Sequence, residues 1–482
     1  MIPKVLKEHS HNGATAKGQS FAVAAALKHI WSLCNPVRAL NAIRGNRRLM
    51  REMFGVAWGQ VAAAAGGICG VRILTGLLAP AAYGELALAL TASTLAQLAI
   101  LAPVAASAQR FLAASRESHE THAFLQAIAR LFVGATAAVA ALGGVGGLLL
   151  SHLAPGWLRL MAAAVLLSWL AGTSSILDAI QNAARERNIV AWHQALGQWL
   201  RALLPLGFAA VYTTGSAMAM YAYCLAAVLV LASQLTFFWR TIVTRAPWRP
   251  PDKAAVRQKV IQFWGYSWPF ATWGLFAWAQ SASDRWALEV FRQRADVGIY
   301  QVLYQVGYSP IILITGYITW LASPILFARV GRGDAHDLSG VWSVLKRIIA
   351  ISLAGTFMFA LAAACCGRVV LSLLASHAYR SGAHLLPLLV LNAGLFATGQ
   401  FATLQLMCGS RTSVVLAPKL VTAVLGVGAN FLGSYCWGPF GVVAAGTLTS
   451  AVYFLWVVWL ARMQVRGRNI LPRFDFKAVE RF

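Results

Sequence analysis

Runs of about twenty apolar residues, the length a bilayer core requires of a helix, recur along the chain with mostly short polar gaps between them. They cover approximately 54–78, 85–108, 125–150, 157–177, 193–213, 217–239, 264–283, 299–325, 344–366, 385–407, 413–433 and 439–461. Turn signals mark several gaps: Ala79-Pro80 with Tyr83-Gly84, Ala154-Pro155-Gly156, and Trp437-Gly438-Pro439. Hydrocarbon offers backbone N–H and C=O groups no water, so such runs fold as helices that satisfy them internally. The pattern predicts an all-α integral membrane protein with twelve transmembrane helices. Composition agrees: 59% hydrophobic and 11% charged residues exclude an ordinary soluble domain.

The net charge of +25 would suit a nucleic-acid binder, but no binding module accompanies it, and its placement points elsewhere. Thirty of the forty Lys and Arg residues lie in or beside the N-terminal tail, the even-numbered gaps and the C-terminal tail; six lie with the odd-numbered gaps. Cations gather on the cytoplasmic side of membrane proteins, which places both tails and the 240–263 stretch in the cytoplasm. That stretch, with Pro247, Pro250 and Pro251 among its cations, divides the chain. The expected layout is a basic segment 1–53, a six-helix bundle 54–239, a linker 240–263, a second bundle 264–461 and a basic tail 462–482. Residues 20–52 read either as an amphipathic surface segment or as a disordered tail. The seven cysteines show no C-x-x-C spacing and no disulfide framework.

The two halves echo one another. Arg72-Ile-Leu-Thr precedes Tyr83-Gly84-Glu85 in the first, and Ser283-Asp284-Arg285 precedes Val297-Gly298-Ile299-Tyr300 in the second. Six helices per half give both halves the same orientation, a parallel repeat of the kind found in transporters. Signs of catalysis are sparse. No Walker A motif occurs, and His119-Glu120-Thr121-His122 sets its histidines one residue too close for an H-E-x-x-H zinc helix. The first loop of the odd side offers Glu85 as its acid, too little for a metal-dependent transferase.

Arg72–Leu90, with its Leu-Ala-Pro-x-x-Tyr-Gly run, resembles the first loop of polysaccharide and O-antigen flippases, and Asp284-Arg285 followed by Val297-Gly298-Ile299-Tyr300 is similar to features of their second half. The resemblance runs from about Met50 to Arg462, mainly through span layout, with Ala79 and Glu289 as departures. The family belongs to the multidrug/oligosaccharidyl-lipid/polysaccharide (MOP) exporter superfamily. The resemblance implies two six-helix bundles around a central cavity, alternating access, and a polyprenyl-diphosphate-linked oligosaccharide turned from the inner to the outer leaflet of a bacterial cytoplasmic membrane. No enzyme activity and no cofactor are expected, and ion coupling stays open, with the ion unknown. The expected partners are the lipid-linked substrate, membrane lipids and other polysaccharide-assembly proteins, with no nucleic acid. The rival readings are a cation-coupled multidrug exporter and a membrane glycan polymerase or transferase.

Ionisable groups inside spans are costly and mark functional candidates. Arg201 and Lys419 lie in repeat-equivalent spans without acidic neighbours in sequence. They read either as a cationic pair in the cavity, facing the diphosphate, or as side chains snorkelling to headgroups. Arg72, Asp284 and Arg285, near the other ends of spans one and seven, read as an outer gate or as interfacial anchors. Gln60, Gln198, Gln280, Gln305, Asn392 and Asn430 read as sugar ligands or as helix–helix bonds.

Overall fold

The computed structural model describes residues 47–244, 252–329, 335–408 and 412–466. The basic segment before residue 47, the tail beyond 466 and part of the linker lie outside the described residues.

Apolar runs become helices throughout. These are α1 (Arg47–Leu77), α2 (Pro80–Glu117, with a π turn at Gln97–Leu101), α3 (Thr121–Leu153), α4 (Leu158–Ala183), α5 (Arg187–Ala209) and α6 (Ser216–Phe238). After the linker come α7 (Lys253–Phe291) and α8, which runs from Arg294–Leu303 through a π turn at Tyr304–Tyr308 into Ser309–Arg329. Next are α9 (Ala335–Leu374) and α10 (Leu386–Cys408). The continuous stretch Thr412–Val465 is two helices, because Gly438 takes φ 60°, a left-handed value that suits glycine, and Pro439 can open a new helix. We number them α11 (412–437) and α12 (439–465). Among the described residues, twelve helices thus stand where the hydropathy pattern places them. Helix α7 starts at Lys253, so its first three turns come from the stretch read as linker, and α1 begins inside the segment read as a tail.

By length and apolarity alone, nine described segments qualify as spans, with α11 and α12 counted together. Helices α5 and α7 fall short. Each carries polar groups for the protein interior: His193, Gln194, Gln198 and Arg201 on α5, and Asp284 and Arg285 on α7. The outermost helices, α3 and α9, are the least buried of the qualifying spans, and their Val133, Val145, Leu148, Phe357, Phe359 and Leu361 face outward as a lipid-facing surface requires.

Helices α1–α6 pack into one bundle and α7–α12 into the other, with α1 against α5, α4 against α6, and α10 against α9 and the α11–α12 pair. Helix α7 also lies along the first bundle. Ser107 donates to the Phe263 carbonyl (2.9 Å), Phe263 stacks on Phe111 (ring centroids 4.7 Å), and Trp278 donates to the Thr91 carbonyl (2.7 Å). Near the face where α1 begins and α12 ends, Lys259 of α7 pairs with Glu120 in the α2–α3 turn (2.7 Å). That hydrogen bond and the lysine's charge hold the Glu120 carboxyl below its ordinary range. Among the described residues helix α1, the repeat mate of α7, makes no comparable contact with α8. The flank between α7 and α2 is therefore closed, whereas a cavity lies between α1, α5 and α8.

Candidate functional site

The central cavity measures about 640 Å³ and is walled by α1, α5 and α8, with Tyr83, Tyr223 and Leu374 at its margins. Its apolar lining comes from small and aliphatic residues: Ala63, Ala64, Gly66, Gly67 and Gly70 on α1, and Leu313 and Ile314 on α8. Set into it are the amides of Gln60, Gln194, Gln198 and Gln305, the phenols of Tyr83, Tyr223 and Tyr317, and the guanidinium of Arg201. Gly66 lets α5 approach closely; a Cβ there would stand 3.1 Å from the Trp199 backbone nitrogen. Arg201 lies 5.8 Å from the Tyr223 ring centroid, and among the described residues no carboxylate pairs with it. A lone guanidinium at a polar cavity wall can take a phosphate through two parallel N–H···O bonds.

A second cavity of about 230 Å³ adjoins the first inside bundle one and shares Gln194, Gln198 and Arg201 with it. It holds Asp178, an acid the hydropathy pattern leaves in a gap but which α4 carries within its length. Gln234 and Gln194 donate to the two Asp178 oxygens (2.7 and 3.4 Å). His193 also lines this cavity: its Nδ1 lies 2.8 Å from the Ile189 carbonyl, which can only accept, so Nδ1 carries a proton, and Nε2 lies 3.0 Å from the Ser233 hydroxyl. From Asp178 the polar chain continues through Gln194 to Gln60 (2.9 Å) and on to the Tyr317 hydroxyl of α8, so it crosses between the bundles.

At the face opposite the start of α1 and the end of α12 the bundles meet directly. Gly84 of α2 abuts the Arg294 carbonyl, where a Cβ would fall at 2.1 Å, and Gly298 of α8 abuts the Pro80 carbonyl at 1.9 Å. The two Tyr-Gly and Val-Gly echoes of the repeat are thus each other's partners. Around them Arg294 pairs with Glu85 (3.0 Å) and Glu289 (3.1 Å), Tyr379 donates to the Leu78 carbonyl (2.7 Å), and Tyr83 donates to Gln305 on the α8 π turn (2.8 Å). These contacts cover the cavity on that face.

Of the residues singled out by sequence, Arg201, Gln60, Gln198 and Gln305 line the central cavity. Lys419 lines neither cavity; its amine sits 5.5 Å from the Trp273 ring centroid, so the structure does not bring it to Arg201. Asn392 and Asn430 make helix–helix bonds, to Ser450 and Ser283. Arg72 is exposed on α1, whereas Asp284 and Arg285 of the expected outer gate are buried on α7. Asp284 and Arg285 are buried between α7 and α8, where Arg285 pairs with Asp284 (3.1 Å), bonds Gln301 and lies over Tyr304 (4.3 Å), and Tyr300 donates to Asp284 (2.6 Å). Removing one partner of such a pair leaves an uncompensated buried charge. Arg285→Ala is expected to cost about 3–5 kcal/mol, read as a fall in the unfolding midpoint in detergent; a shift no larger than that of Arg72→Ala would refute the structural role. Sequence reasoning missed Asp178, Glu85 with Arg294, and the Tyr317 contact. A lone acid following an apolar run was the available signal for the first.

The family profile described as polysaccharide biosynthesis protein matches residues 43–328. No curated protein matches in sequence. Among solved structures, the lipid II flippase MurJ in an inward closed conformation aligns with TM-score 0.62 at 10% identity, over 86% of this chain and 87% of its own. An inward-facing multidrug resistance MATE family transporter of the MOP superfamily gives 0.59 at 14%, over 84% and 95%. The Vibrio cholerae MATE transporter VcmN, as a mutant, gives 0.58 at 14%, over 87% and 97%. These likenesses establish the fold, two six-helix bundles of the MOP kind.

Proposed function

The chain belongs to the polysaccharide biosynthesis protein family, and we propose that it turns a polyprenyl-diphosphate-linked oligosaccharide from the inner to the outer leaflet of a bacterial cytoplasmic membrane, for exopolysaccharide or O-antigen assembly. One observation carries this reading: the cavity between the bundles joins an unpaired guanidinium to a wall of amides and phenols. A sugar diphosphate cannot cross hydrocarbon unaided. Arg201 would take the phosphate, glutamines would exchange hydrogen bonds with hydroxyls, and the lipid tail would stay in the bilayer. With the termini in the cytoplasm, as the cation placement predicts, the Gly84–Gly298 contact is the outer closure, and alternating access consists of parting it. Partners would be the lipid-linked substrate, membrane lipids and other polysaccharide-assembly proteins. Asp178, hydrogen-bonded through Gln194 and Gln60 to Tyr317, is the group we assign to a coupling cation. The same carboxylate gives a cation-coupled multidrug exporter its best support.

The test is the identity of the lipid-linked intermediate that accumulates when the gene is deleted. Flipping predicts a complete repeat unit held at the cytoplasmic face. An incomplete or unpolymerised unit would replace this reading with that of a glycan-modifying enzyme, and no accumulation would favour the drug exporter.

A further inference from the structure

Resting on the flippase reading, we infer that the glycan this cavity accepts is an uncharged one, a head of neutral sugars whose only anionic part is the diphosphate. Charge supply is the first ground. Among its described lining residues the central cavity holds one cation, Arg201, and no second Lys or Arg from either bundle. Lys419, the cation that a symmetric cavity would have added, lies over Trp273 and lines neither cavity. The diphosphate alone engages the single guanidinium, so a uronate or a pyruvate acetal on the sugars would find no counter-charge.

The adjoining cavity strengthens the case. It shares Arg201 with the first and contributes Asp178, which is paired with no cation among the described residues. Its histidine, His193, bonds a carbonyl through Nδ1 and a serine through Nε2, so both ring nitrogens already have partners. Ionised or protonated, Asp178 adds no positive charge, so Arg201 is the one Lys or Arg that the described lining of the joined cavities supplies. In a site partly shielded from water, an unpaired carboxylate on the substrate is penalised far more than in solution.

The second ground is the polar chemistry that is present. Four glutamine amides, each both donor and acceptor, face the cavity with three phenols that can also play either part. Groups of dual character suit sugar hydroxyls, which donate and accept at once. A carboxylate only accepts, and would leave amide oxygens and phenol lone pairs facing it. Discrimination then comes from what the wall lacks as much as from what it offers.

The experiment uses the purified full chain in vesicles, with and without an imposed proton or sodium gradient. Two short-chain polyprenyl-diphosphate trisaccharides serve as probes, identical except that one terminal hexose is replaced by the corresponding uronate. Arrival in the opposite leaflet is read by a membrane-impermeant glycosidase that cleaves both. The neutral probe is expected to move at least about tenfold faster, a difference worth roughly 1.4 kcal/mol. Gln198→Arg, which adds a cation to the shared wall of both cavities, is expected to narrow that gap by speeding the acidic probe. Equal rates in the native protein, or a faster acidic probe, overturn the inference and leave the flippase reading standing. Movement of neither probe under any gradient overturns that reading and the inference with it.

Discussion

Valine at position 298 should nearly abolish transport, while alanine at Gly76 should leave it near normal. Gly298 faces the Pro80 carbonyl, and Gly84 faces the Arg294 carbonyl, at distances where a Cβ on either would fall inside the backbone of the other helix. Side chains can swing aside from such a clash; a helix backbone cannot, short of moving α2 and α8 apart. Forced overpacking costs about 1–3 kcal/mol in an ordinary core, and here the whole cost falls on the closed state. The closed population should drop by about ten- to a hundredfold relative to the open one. Each bundle keeps its own packing, so the protein should still reach the membrane at normal abundance. Gly76 has nothing within 4 Å of its would-be Cβ and serves as the control. Surface glycan at matched expression is the first measurement. The second is labelling by an impermeant thiol reagent of a cysteine placed at Leu78, otherwise buried, in a background free of other cysteines; it should rise in Gly298→Val. Normal glycan output from that variant would show that this contact never has to form during transport.

That contact also shows how far the sequence could be read. The echo between Tyr83-Gly84 and Val297-Gly298 was visible as a repeat, and a repeat says that two segments are equivalent. It does not say that they touch; that follows only when the bundles are set about their common axis with these glycines at it. Hydropathy located the twelve helices because the bilayer imposes length and apolarity on each of them. It was less able to end them: α4 runs six residues past its expected end at 177, through Asp178, since a polar residue facing an interior cavity costs the helix little. Repeat symmetry pairs Lys419 with Arg201, but the two halves are not equally disposed in this structure. Helix α7 lies along α2 and α3, while α1 stands away from α8 and reaches it through Gln60 and Tyr317. The cavity therefore opens beside Arg201 and not beside Lys419.

The same asymmetry makes the two cations separable by experiment. Arg201→Ala should lower flipping by about ten- to a hundredfold, the equivalent of losing one charge-assisted interaction of about 1.5–3 kcal/mol. Lys419→Ala should stay within about twofold of the native rate, because a half-buried lysine against Trp273 that lines neither cavity is expected to act as a snorkelling anchor. Arg201→Lys should fall between native and Ala: it keeps the charge but gives up the planar fork that matches two phosphate oxygens. The double variant is the decisive member of the set. If the two residues act on one diphosphate, their effects depend on each other; if Lys419 only anchors α11, the double Ala variant should match Arg201→Ala alone. Each is scored by surface-glycan output at equal membrane abundance. A Lys419→Ala loss as large as that of Arg201→Ala would put a second cation on the substrate path and return the symmetric cavity, whereas near-native output from Arg201→Ala would remove the guanidinium from substrate binding altogether.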